Sequence, residues 1–303
     1  MAASRPAPGW SWRRRFPDRG TAVLFLLPGA AGLALFLLLP VGASLVLSFT
    51  NWQLMDETRF VGWANYVNLF TRDPVFWGVL RTTFAFSVEY LVLNIVLALG
   101  LAVWIGSLPW GRTLFRLVFF LPTFTPLVGI ALIWLMMFTP GGIIDALVAF
   151  VHLPIGNLIT NPATALQVLV IVSLWSHVGY NMLLFGAALD AIPSSYLDAA
   201  AIDGGTEWQR FWRIKLPLIS PSLFFGTVLT AITSLQTFDQ VYALTRGGPG
   251  AATMTLGYAI YNQGFVNYRM GYASASAWVL FAVILVLTGV QLRLQRAWVH
   301  YDL

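Results

Sequence analysis

The sequence predicts an all-α membrane protein with six transmembrane helices, and three observations predict it. Of 303 residues, 58% are hydrophobic and only 10% are charged, whereas a soluble domain carries about 25% charged residues. That leaves too little charge to clothe a water-facing surface. The mean hydropathy of +0.75 points the same way. Finally, apolar stretches at 21–49, 79–105, 114–138, 164–189, 218–241 and 273–292 each reach the roughly 20 residues that a helix needs to cross a bilayer.

The first span follows Trp10-Ser11-Trp12-Arg13-Arg14-Arg15. Its apolar run exceeds the about 7–15 residues of a secretory signal and lacks a clean small-residue cleavage site, so a retained anchor is expected. Pro28 and Pro40 lie inside it, which a membrane helix tolerates when neighbours satisfy the freed backbone groups. The 51–72 segment then carries Trp52, Phe60, Trp63, Tyr66 and Phe70, aromatic residues suited to the membrane–water boundary. Span two contains Glu89, an ionisable group of a kind that is rare in a bilayer. A helix-packing hydrogen bond is preferred to a proton relay there, because only His177 stands as a possible companion. His152, beside Pro154 in the loop before span four, suggests no role. The 244–269 segment opens with Arg246-Gly247-Gly248-Pro249-Gly250, a chain reversal built from turn residues. After it Leu256, Ile260, Tyr261 and Phe265 recur at helical spacing, which predicts a short helix lying at the interface.

Lys and Arg divide unevenly between the two ends of these spans. The N-terminal tail, the 106–116 turn, the 190–217 loop and the C-terminal end hold 12 of the 17 basic residues. Basic residues mark the cytoplasmic side, so both termini are expected inside. The expected organisation is a cytoplasmic tail over 1–20, one six-helix transmembrane domain over 21–293, and a cytoplasmic tail over 294–303.

Several functions are excluded. With no cysteine, the chain has no disulfide, thiolate zinc site, iron–sulfur cluster or cysteine nucleophile, and no metal set is expected. Lys215 is the only lysine and Ile214 precedes it, so a phosphate-cradling G-x-x-x-x-G-K-[ST] loop is absent. The net charge of +5 sits in short gaps between spans and forms no continuous basic face for nucleic acid. Ser176 and His177 are adjacent, and adjacent helical residues point about 100° apart, so they do not make a hydrolase pair. No half-to-half similarity of the kind seen in inverted-repeat secondary transporters is present.

The 190–217 loop is the one hydrophilic segment with its own design. Pro193 with Ser194 or Ser195 opens a first short helix, with Asp198 near its positive end. Gly204-Gly205 ends it. Thr206 and Gln209 form a capping box for a second helix, and Pro217 and Pro221 mark re-entry to the membrane. Ala199, Ala200 and Ala201 keep the first helix thin, while Trp208, Phe211, Trp212 and Lys215 share one face of the second. Such a surface suits either docking into a partner's groove or lying on the inner leaflet.

The run Asp198-Ala199-Ala200-x-x-Asp203-Gly204-Gly205, then eight residues, then Ile214-x-Leu216-Pro217 resembles the EAA loop of binding-protein-dependent ABC importer permeases. That pattern is E-A-A-x-x-D-G-A-x8-I-x-L-P; Asp198 replaces Glu and Gly205 replaces Ala. Phe60-Val61-Gly62-Trp63, Phe120-Leu121-Pro122, Tyr180-Asn181-Met182, Thr245-Arg246-Gly247-Gly248-Pro249 and Gly271-Tyr272-Ala273 are similar to the carbohydrate-uptake (MalFG-like) branch, of the maltose permease F and glycerol-phosphate permease A type. The likeness extends over about 20–295.

The resemblance implies an ABC importer type I permease fold in a prokaryotic cytoplasmic membrane. It implies a second permease subunit, two ATPase subunits that carry ATP and Mg, and an extracytoplasmic solute-binding protein; no cofactor is implied on this chain. Asp198, Ala199, Ala200, Asp203, Gly204, Gly205, Leu216 and Pro217 would couple to an ATPase. The 51–72 and 244–269 segments become candidate docking surfaces for the binding protein, with membrane anchoring as the other reading. A sugar substrate calls for hydroxyl-matching polar groups with an aromatic platform. Trp175, His177, Tyr180 and Asn181 on span four and Gln236, Asp239 and Gln240 on span five supply both, Trp175 and Asn181 foremost. Interhelical hydrogen bonding is the alternative role for each. A di- or oligosaccharide is the expected cargo, and glycerol 3-phosphate or a glycerophosphodiester the alternative. No Lys or Arg lies deep in any span, which favours a neutral sugar.

Overall fold

The computed structural model describes residues 19–53, 57–151 and 157–299. Trp10, Trp12 and the Arg13–Arg15 cluster lie outside them, as do His152, Pro154 and residues 300–303. Among the described residues there is no strand, only one bridge pair between Thr50 and Phe60. Five helices are long and apolar enough to cross a bilayer: Ala22–Ser48, Phe76–Ser107, Val128–Phe150, Ala165–Asp190 and Met270–Gln295. A sixth is reached if the bent pair Glu207–Leu218 and Ser220–Leu235, with 67° between the two, is counted as one span. An open helical bundle results.

The first helix crosses with its apolar side chains facing outward and leans on the last helix, where Trp278 Nε1 donates to Ser44 Oγ at 3.2 Å. A wide turn over Ala34–Leu38 precedes Pro40, whose ring displaces a carbonyl of the preceding turn. At its end the chain folds back tightly. Asn65 Nδ2 donates to the Ser48 and Thr50 carbonyls, both at 2.8 Å, and so satisfies acceptors that the helix leaves open. Phe49 packs edge-on against Trp63 at 5.1 Å. Phe60 and Trp63 nonetheless stay exposed, so the cluster keeps the aromatic surface that either membrane anchoring or docking calls for.

Two expected spans are broken. Over 114–138 the helix Arg112–Phe120 gives way to a tight turn at Leu121–Phe124, and helix resumes over Leu127–Phe138 and, after a turn, Ile143–Phe150. Pro126 is the cause: the residue before a proline is driven out of the helical region, and Thr125 is extended at ψ 130°. Over 218–241 the helix stops at Leu235, and helix resumes only beyond Phe238, running on into the wide turn Val241–Thr245. There the Thr237 carbonyl accepts from Thr255 Oγ1 at 2.9 Å, and its hydroxyl donates to Gln240 Oε1 at 2.9 Å. The returning chain thus takes a bond that a continuous helix would have used.

The segment after the 246–250 reversal also differs from expectation. A helix does form, over Leu256–Tyr261, but it is tucked into the bundle instead of lying at the interface. Leu256 and Tyr258 are buried, and the Leu256 N–H donates to Thr83 Oγ1 at 2.8 Å. That bond satisfies a helix-start donor far from water, which a surface position would not require.

The centre of the molecule is the helix Ala165–Asp190 against Phe76–Ser107. Lipid tails are as apolar as leucine, so close approach of backbones and buried polar bonds hold such helices together. Ala98, Ala102, Met182, Phe185, Ile219 and Leu223 form one packed cluster. Gly226 meets Phe185 so closely that an added Cβ would lie 2.9 Å from its ring. Within this contact Asn181 Nδ2 donates to Asn94 Oδ1 at 2.6 Å and to Thr230 Oγ1 at 2.8 Å. Three helices are joined by one side chain. Asn181→Leu, similar in size, is expected to cost about 1–2 kcal/mol and to lower the melting midpoint of the detergent-purified protein. An unchanged melt would remove this network from the account of stability.

Candidate functional site

Two places carry function-bearing residues: the 190–217 loop, and a cavity where the fifth span breaks. The loop begins at Asp190, whose carboxylate meets Arg116 at 2.7 Å and ties the end of the central helix to the 106–116 turn. Its first helix is Ser194–Ile202, with Pro193 at the cap position. Neither serine caps it, and Asp198 sits past the first turn, so the expected dipole contact is not made.

The exit from this helix is a doubly bonded corner. Gly204 adopts φ +76°, its N–H donates to Ala201 O at 3.1 Å, and the Gly205 N–H donates to Ala200 O at 2.8 Å. These are the two bonds of a Schellman cap. The glycines are needed for different reasons. A Cβ on Gly204 would meet nothing, whereas one on Gly205 would fall 2.8 Å from the Ala200 carbonyl oxygen.

The second helix starts with the expected capping box. The Thr206 N–H donates to Gln209 Oε1 at 2.9 Å, and Thr206 Oγ1 accepts from the Gln209 N–H at 3.3 Å. Glu207 then pairs with Arg210 at 3.0 Å and with Lys215 at 3.6 Å. Ile202, Trp208 and Trp212 are left exposed, with the two tryptophan rings edge to face at 5.4 Å. Ala199 and Ala201 are exposed as well. Leu216 instead packs inward with Ile105 and Ile219, and the Pro217 carbonyl accepts from Ser220 Oγ at 2.6 Å. Those two residues fasten the loop to the bundle, while the alanines and tryptophans present its outer surface.

The cavity has a volume of about 260 Å³. Span five and the break after it contribute Thr233, Ser234, Gln236, Thr237, Phe238, Asp239 and Gln240; the central helix adds Ser173 and His177, and span two adds Phe86 and Tyr90. Phe86 and Tyr90 stack almost parallel, 5.7 Å between centroids and 2° between planes. The Ser173 hydroxyl is 1% exposed and has no hydrogen-bond partner among the described residues. Non-helical backbone within a membrane is tolerated where it lines a cavity, and the break at Gln236–Phe238 does so.

Of the substrate residues expected from sequence, His177, Gln236, Asp239 and Gln240 come together here. Trp175, Tyr180 and Asn181 do not. Trp175 and Tyr180 are exposed on other sides of the helix, Trp175 against Trp134 at 5.7 Å. Asn181 is buried and committed to Asn94 and Thr230. Sequence reasoning missed Phe86, Tyr90 and Ser173. A signal existed for span two: Thr83, Ser87, Tyr90 and Asn94 form a polar-tipped stripe at helical spacing within an otherwise apolar run.

Residues 94–300 match the family described as binding-protein-dependent transport system inner membrane component. The chain belongs to this family. The permease is 36% identical to the probable ABC transporter permease protein YesP of Bacillus subtilis (strain 168), over 94% of this chain and 93% of that one. It is 32% identical to the sn-glycerol-3-phosphate transport system permease protein UgpA of Brucella suis, over 95% and 98%. In fold it resembles a chain of a bacterial ABC transporter involved in the import of the acidic polysaccharide alginate. That likeness has a TM-score of 0.82, with 21% identity over 92% of this chain and 96% of that one. The permease is thus a multi-pass transport subunit of an ABC importer and not an enzyme.

Proposed function

We propose that this permease carries a neutral sugar, a di- or oligosaccharide, through the cavity at the break of span five. The observation that carries the reading is the make-up of that cavity. Its accessible lining is Thr233, Gln236, Asp239, Gln240, His177 and the half-buried Phe238, beside a buried Ser173 hydroxyl with no partner among the described residues, and it holds no Lys or Arg. Polar groups of this kind match sugar hydroxyls, and Phe238 is the lining aromatic with surface left to meet a sugar ring.

A second permease subunit completes the path, two ATPase subunits bind ATP and Mg, and a solute-binding protein delivers cargo to the 51–72 and 244–269 surfaces. Both termini and the 190–217 loop lie on the ATPase side, supported by the 12 of 17 basic residues at that end. The exposed alanines, Ile202 and the two tryptophans of the loop dock in the ATPase. The loop is spliced between the helices Ala165–Asp190 and Ser220–Leu235, and both also wall the cavity. Movement of the docked loop therefore reaches the cargo site through two rigid helices.

The test is uptake by the whole importer reconstituted in vesicles, with labelled oligosaccharide and glycerol 3-phosphate compared. Sugar uptake with Gln240→Ala is expected to fall about tenfold, the scale of one lost buried hydrogen bond, while ATP hydrolysis continues. The relatives named for glycerol 3-phosphate support a second reading. Uptake of that anion but not of sugar would replace the first reading with it.

A further inference from the structure

Glu89 is unexplained by anything above. It lies well inside the 32-residue helix Phe76–Ser107, half-buried, with no hydrogen bond or ion pair to any described residue. His177, the one possible companion for the disfavoured relay reading, lines the cavity, with Nδ1 placed 3.2 Å from the Ser173 carbonyl oxygen. The packing bond expected for Glu89 is not made among the described residues.

We propose that Glu89 marks the face on which a transmembrane helix of the second permease subunit docks, with a hydrogen-bond donor of that helix set against its carboxyl. This rests on the importer reading above. The neighbouring side of the helix, with Phe86, Tyr90, Asn94 and Ala98, is buried in the bundle. Around Glu89 itself, Ala85, Val92, Leu93 and Val96 are exposed at three- and four-residue spacing.

Each alternative cover for this face meets an objection. Lipid would leave an acid in hydrocarbon, at a cost of about 3 kcal/mol even on the milder scales. A water-filled path calls for polar companions, and the four flanking side chains are apolar. A second copy of this chain packed through the same patch would offer Glu89 no donor except its own counterpart acid, because the four exposed side chains around it are apolar. A different helix bearing a donor meets none of these objections, and Ala85 leaves it room to approach closely.

The experiment uses the importer purified whole in mild detergent, with a photo-crosslinking amino acid placed at Ala85 or Val92. Adducts with the second permease are expected from both positions. Separately, Glu89→Gln keeps a hydrogen-bonding group and should retain the second permease, whereas Glu89→Leu should weaken its association about tenfold. Adducts with lipid alone or with another copy of this chain, or equal retention by Glu89→Leu, would overturn the proposal. If the unaltered chain purifies without any second permease, the importer reading falls, and this proposal with it.

Discussion

Gly204→Pro is expected to abolish import while leaving the purified complex able to hydrolyse ATP. The corner at Gly204 holds φ +76°, and proline is locked near −65°. Proline also lacks the N–H that Gly204 donates to Ala201 O. Both features of the cap are lost together, so the loop's two helices change their relative angle. The surface proposed to dock in the ATPase would then be presented in the wrong orientation. Alanine offers a graded control. Its Cβ meets nothing at this position, and the left-handed conformation alone costs about 1–2 kcal/mol, so partial coupling should survive. The readout is sugar uptake and phosphate release measured on the same vesicles. Normal uptake by the proline variant would show that the loop does not transmit the ATPase cycle.

Gly179→Ala should be nearly as damaging, at a different level. An added Cβ would stand 2.2 Å from the Phe119 carbonyl oxygen and 2.8 Å from Phe120 Cα. Both are backbone atoms that cannot rotate away. The central helix and the third span must move apart, which also stretches the 3.1 Å bond from Thr123 Oγ1 to Ser176 O. Overpacking costs about 1–3 kcal/mol, and a backbone-to-backbone clash belongs at the upper end. Gly100→Ala is the control: nothing lies within 4 Å of its Cβ position, and alanine is the better helix former. Yield and melting midpoint in detergent read both variants. If the two behave alike, the contact at Gly179 is not what holds these helices together.

Much of this architecture was legible from composition and local signals. The Thr206–Gln209 capping box, the Gly204-Gly205 corner and the 246–250 reversal all form where residue chemistry places them. What sequence alone misplaced depends on contacts made from a distance. Pro126 was visible in span three, yet a proline in a membrane helix either kinks it or breaks it, according to its neighbours. The fifth span stops at Leu235, and just beyond the stop Thr255, from far along the chain, bonds to the Thr237 carbonyl. No local pattern announces that.

The candidate site followed the same division. Polar side chains of spans four and five were recognisable as a group, but which of them faced a cavity depended on helix rotation. That rotation separates Asn181, which binds two other helices, from His177, which faces open space. Tyr90 escaped notice beside the more conspicuous Glu89, although the two point to different surroundings.

The bond from Thr255 to the Thr237 carbonyl carries a mechanical consequence. Thr237 lines the chamber, while Thr255 ends the loop that begins at the 246–250 reversal. The same strap is pinned a second time, through Leu256 to Thr83 on another wall. Outer loop and chamber therefore form one linkage, with no slack segment between them. Under the docking proposed above, a solute-binding protein pressing on this loop would pull on the chamber wall through these two bonds.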